Sequence, residues 1–125
     1  MKSILMLVSG VLCTAGGLLH ASGLRVIHGE MVKANVSGDL TRVLDVAWVF
    51  MSMAILTFGA ILLTYGLQMR KKSYGGRALA VWVAACLTLF SGGAIILLGY
   101  NSHFLFFLIV GIAAAFACLP EQRTA

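Results

Sequence analysis

Residues 43 to 67 read VLDVAWVFMSMAILTFGAILLTYGL, twenty-five residues in which Asp45 alone is charged. Such a run has the dimensions of a bilayer span, since about 20 apolar residues rising 1.5 Å each match a hydrocarbon core of roughly 30 Å. Inside lipid the backbone has no water to bond, so the run must close its own hydrogen bonds as a helix. Three further stretches, 4–21, 78–100 and 103–119, contain no Asp, Glu, Lys or Arg at all. The chain is 61% hydrophobic and 10% charged, against roughly 25% charged residues in a soluble domain. The expected fold is therefore all-α: one membrane domain over residues 1–125, with four antiparallel transmembrane helices in a small bundle.

The basic residues orient it. Lys2, Arg70, Lys71, Lys72, Arg77 and Arg123 flank one side of these spans, against Arg25, Lys33 and Arg42 on the other. The excess of six over three places both termini and the loop containing RKKSYGGR in the cytoplasm. The expected location is a bacterial cytoplasmic (inner) membrane. The net charge of +5 is thus explained by topology, and no nucleic-acid module is present to use it. Trp82, Tyr65 and Tyr74 near the basic loop, with Trp48 and Tyr100 toward the other side, fit the aromatic belts of the two interfaces. A basic start followed by Ala21-Ser22-Gly23 resembles a cleavable signal, but the eighteen-residue apolar run exceeds a signal core. The first span is expected to remain as an anchor.

Between spans one and two, residues 23–42 are polar enough to lie outside. Leu24, Ile27, Met31 and Ala34 recur at helical spacing, which predicts a short interfacial helix weakened by Gly29. Ser37-Gly38-Asp39 breaks the chain, with Asp39 as the expected cap of the next helix and Arg42 as the expected partner of Asp45. Tyr100 to His103 is a tight turn that makes the last two spans a hairpin. Small residues form stripes along every span, among them Ser9, Cys13 and Gly17 in the first and, in line with Asp45 and Trp48, Ser52, Gly59 and Gly66 in the second. They let helices approach closely, within the chain or in a homo-oligomer. On span three, Ala84, Thr88 and Ser91 are expected to pack, and Leu79, Val83 and Leu87 to face lipid.

Chemistry has few places to reside. Cys13, Cys86 and Cys118 form no CxxC pair, so neither a dithiol enzyme nor a cysteine zinc module is expected. His28-Gly29-Glu30 has the H-x-E order of zinc deaminases, yet the chain lacks their P-C-x-x-C. The remaining vocabulary is three histidines, His20, His28 and His103, all on the outer side, with Asp45 and Glu30 near them. Imidazole with carboxylate suits zinc, copper, iron or nickel, and paired histidines suit haem. These five residues are the candidate metal ligands, although their spacing singles out no cofactor. Asp45 also carries a structural reading, as a carboxylate near a helix N-terminus. With no complete catalytic motif, the expected role is a non-enzymatic interaction or scaffold protein, in contact with lipid and with itself or another membrane protein. Two alternatives remain: a binder or transporter of a small lipophilic molecule, and a metal or haem protein with its site at the outer face.

Overall fold

The computed structural model describes residues 1–73 and 75–120; Tyr74 and Arg123, used above for the belt and the charge bias, lie outside them. Five helices follow one another: α1 (Lys2–Ser22), α2 (Leu24–Lys33), α3 (Gly38–Arg70), α4 (Arg77–Leu98) and α5 (Ser102–Cys118). No strand occurs among the described residues. Three helical stretches, Lys2–Lys33, Gly38–Arg70 and Arg77–Leu98, are long and apolar enough to cross a membrane, whereas the equally apolar α5 has 17 residues.

Local chemistry sets the helix ends. The helix holding the second apolar run starts at Gly38, well before residue 43, because Ser37 Oγ accepts from Leu40 N–H at 3.4 Å. Ser37, not Asp39, is thus the cap. Asp39 instead sits in the first turn, where a carboxylate favours the positive end of the helix dipole. At the other hairpin α4 stops at Leu98 because Gly99 takes φ +84°, a conformation open to glycine. Asn101 Oδ1 then accepts from His103 N–H at 2.8 Å and starts α5. Between α1 and α2 the interruption at Gly23 is slight. Gly23 keeps helical angles, and its carbonyl accepts from Val26 and Ile27, so α2 continues almost directly from α1.

The tightest seam joins α1 to α3. A Cβ on Gly10 would stand 2.7 Å from Leu63 N, one on Gly66 2.8 Å from Leu7 Cγ, and one on Gly17 3.0 Å from Leu56. Gly59 meets the backbone of Thr14 in the same way. Contact positions rise on α1 as they fall on α3, from Leu7 against Gly66 to Gly17 against Leu56. The α4–α5 seam repeats the device, with Gly111 against Thr88 N at 2.8 Å. Both threonines satisfy their hydroxyls within their own helix, Thr14 on Gly10 O and Thr88 on Ala84 O. The helix-bonded hydroxyls therefore ask nothing of the neighbouring glycine.

These two pairs join through α1 and α5, where Gly16 faces Phe106 and Phe107, and through a lighter α3–α4 contact. Met6, Cys13, Leu62, Ala80 and Ala114 are fully buried between the helices. Val83 and Leu87, expected outside, are also buried, at 3% and 5% exposure. The reason is the glycine opposite: Leu87 Cβ lies 3.0 Å from where a Cβ on Gly111 would be, so large residues of α4 fill the space that α5 leaves. Ala80, Val83, Ala84, Leu87 and Ser91 make one buried stripe at helical spacing.

At the end where the chain begins, Lys2 Nζ donates to Leu119 O at 2.6 Å and Arg77 Nε to Cys118 O at 3.1 Å. Both cations satisfy carbonyls at the negative end of α5. A cavity of about 390 Å³ opens there, lined in part by Lys2, Tyr65, Met69 and Arg77.

Candidate functional site

The histidines collect at the opposite end. Thr41, Asp45, Trp48 and Ser52 stand three or four residues apart on α3, so they share one face. Across from that face lie the last turn of α1 and the start of α2. His20 is 9% exposed and sits between α3 and α5. Its Nδ1 is 2.9 Å from Ser52 Oγ, and Ser52 Oγ donates its own hydrogen to Trp48 O at 2.8 Å. The serine has one hydrogen to give, so toward the ring it accepts, and Nδ1 carries the proton. In the neutral imidazole this leaves the lone pair on Nε2.

Trp48 holds the same histidine twice. Its Nε1–H donates to His20 O at 2.7 Å, and the indole stacks on the imidazole with centroids 4.0 Å apart and planes at 16°. Gly23 makes room for the indole, since a Cβ there would meet Trp48 Cζ2 at 3.2 Å. His103 stands beside His20, with ring centroids 5.3 Å apart and a tilt of 34°. His103 is exposed, yet its ring is fixed edge-on against Phe104 and Phe107.

His28 makes a separate pair. Its Nδ1 lies 2.8 Å from Asp45 Oδ2, a carboxylate that only accepts, so here too Nδ1 carries the hydrogen. This contact fastens α2 to α3. Asp45 Oδ1 is buried and has no hydrogen-bond partner among the described residues. Arg42, expected beside Asp45, points away with its side chain 85% exposed and lies 3.9 Å from Asp39. The swap follows from orientation, because Asp45 faces α2 whereas Arg42 faces outward. Glu30 accepts from Lys33 at 2.7 Å on the open side of α2. Two residues from His28 on a helix, it faces another direction.

The five candidate ligands thus form two histidine-centred pairs, His20 with His103 and His28 with Asp45, with Glu30 apart. Among the described residues no group of three or more His, Cys, Asp or Glu is placed to share one metal ion. Cys13 and Cys118 are buried and Cys86 is exposed, and all three are free thiols. Sequence reasoning missed Ser52 and Trp48 as members of this site and read them as packing and belt residues. Their shared stripe with Asp45 was the available signal. A scan against protein-family models, a search of curated proteins and a search of solved structures each found no match to this chain.

Proposed function

We propose that this chain is a four-span integral protein of a bacterial cytoplasmic membrane that acts through contacts with lipid and with other membrane proteins, without catalysis. The observation that carries this reading is the distribution of apolar side chains. Small residues and a few large ones close the interior, while Leu89, Phe90, Ile96 and Leu97 stand 55–83% exposed. Water would penalise that outer surface, at about 25 cal/mol per Å², and hydrocarbon would not. With 17 residues α5 sits at the short end of the roughly 17–25 that cross a bilayer, and it runs antiparallel beside α4 as the fourth span. The Lys2, Arg70, Lys71 and Arg77 end faces the cytoplasm, and α2 lies along the opposite interface.

A second copy or another membrane protein would meet large side chains, because Gly10, Gly17, Gly59, Gly66 and Gly111 already face helices of the same chain. Passage of a lipophilic molecule is the weaker reading. It needs a continuous interior path, and Cys13, Leu62 and Val110 close the interior at 0–2% exposure. Orientation is tested by Ser73→Cys in a Cys86→Ala background, treated with an impermeant thiol reagent on intact cells. Weak labelling until the cells are opened is expected, and strong labelling from outside overturns the orientation. Native mass measurement from lipid discs tests association: a strictly monomeric protein that co-purifies with nothing overturns the interaction reading.

A further inference from the structure

We propose that the cavity where α1 and α4 start and α3 and α5 end holds the phosphate headgroup of an anionic phospholipid, gripped by Lys2 and Arg77. The site rests on the membrane reading above, but not on which side of the membrane this end faces.

The first observation is a pair of cations held in place and left uncompensated. Lys2 Nζ donates to Leu119 O at 2.6 Å and lies 3.2 Å from Pro120 O, and Arg77 Nε donates to Cys118 O at 3.1 Å. Both side chains line one cavity of about 390 Å³. An ammonium has three donors and a guanidinium five. Beyond these bonds Lys2 keeps one donor and Arg77 both terminal amino groups, and neither joins an ion pair among the described residues. The carbonyls fix where the cations stand without cancelling them, since a helix end carries only about half a negative charge. The described carboxylates, Glu30, Asp39 and Asp45, belong to α2 and the first turns of α3, at the other end of the bundle.

The second observation is the setting. Buried Tyr65 and half-buried Met69 wall the cavity on its α3 side. Its volume falls within the roughly 300–1,000 Å³ of small-molecule pockets. Two residues further into the apolar helices from Lys2, Arg77 and Cys118, the side chains of Ile4, Leu79 and Phe116 stand 54–63% exposed. A free anion gains nothing from such flanks, whereas acyl chains cover them. The arginine supplies a planar fork that matches two phosphate oxygens, and the lysine adds a point charge beside it. Basic pockets between spanning helices are where anionic headgroups settle.

Native mass measurement tests this on the full-length protein in detergent, titrated with phosphatidylglycerol or with phosphatidylcholine of the same chains. One retained phosphatidylglycerol per chain is expected. Each cation near anionic lipid contributes roughly fivefold, so Lys2→Gln and Arg77→Gln should each lower the preference by about that factor, and the double variant should abolish it. Arg77→Lys keeps the charge without the fork and should fall between. Replacing Lys71 and Lys72 with Gln, away from the cavity, should change little. Phosphatidylglycerol should also raise the thermal transition of the parent but not of the double variant, which separates lost binding from lost folding. Equal retention of both lipids overturns the proposal, as does a preference that survives the double variant or vanishes with Lys71 and Lys72. Displacement by millimolar inorganic phosphate would assign the pocket to a free anion and overturn the lipid. Glu121 follows α5 and lies outside the described residues; binding that emerges only in Glu121→Gln would give the pocket to the chain's own carboxylate and overturn the proposal too. A chain that stays dissolved without detergent sinks the membrane reading together with this site, whereas one that needs detergent yet shows no lipid preference sinks the site alone.

Discussion

At Thr14 and Gly59 helices α1 and α3 touch backbone to backbone, and less than two turns onward, at His20 and Ser52, the same two helices meet through a hydrogen bond. The two contacts obey different physics. In the glycine seam the deciding quantity is volume, since dispersion between closely approaching backbones is lost once any side chain intervenes. At the histidine end the deciding quantity is satisfaction of polar groups, since a buried imidazole N–H without an acceptor costs more than its hydrogen bond contributes. The seam sets how far apart the helices lie. That spacing then permits Ser52 and Trp48 to reach His20.

The sharpest way to break the comparison is to put a large side chain in the seam. Gly59→Leu would collide with the Thr14 backbone, which cannot swing aside as a side chain can, and should destabilise the protein by about 3 kcal/mol. Thermal unfolding in mild detergent reads the effect; a transition unchanged from the parent's would mean that the seam is not closed. The histidine end should lose less. Ser52→Ala leaves the Nδ1–H of buried His20 without its acceptor, and roughly 1–3 kcal/mol is expected in the same assay. Conversely, Ser52→Thr, which retains the hydroxyl, should recover part of that loss.

Fastening of α2 is weaker again. His28 is half exposed, so His28→Ala should cost about 1 kcal/mol or less overall. The cost should be local: faster amide exchange in residues 24–33 with α1 and α3 unaltered. Equal acceleration throughout the chain would show that α2 does not open on its own. The smallest effect has the opposite sign. Gly29 lies mid-helix in α2, and a Cβ added there would meet nothing within 4 Å, so Gly29→Ala should stabilise by about 0.5–1 kcal/mol. Set beside Gly59, it separates a glycine that only weakens its helix from one that another backbone requires.

Much of this molecule is legible in the order of its residues, and the limits are physical. Helices over the four apolar runs, and the short helix from Leu24, follow from run length and from spacing along a single segment. Their hydrogen bonds join residues four apart and need no knowledge of neighbours. The gathering of His20, His28 and His103 at one end follows just as directly, because alternate connections of successive helices return to the same end.

Which side chains then meet was decided only by tertiary packing. Asp45 has Arg42 three residues away on its own helix, yet it bonds His28, seventeen residues distant in sequence, because the rotation of α3 turns it toward α2. Val83 and Leu87 are as apolar as Leu79, but they are buried and Leu79 is not, because Gly111 and its neighbours on α5 leave space on that side alone. His20 and His103, eighty-three positions apart, face each other because α1 lies against α5 as well as α3. Local sequence gives a helix its length and its apolar character, but rotation about the helix axis and choice of neighbour depend on how residues from separate helices fit together. A glycine on one helix has that effect only when another helix supplies the threonine or leucine that fills its space.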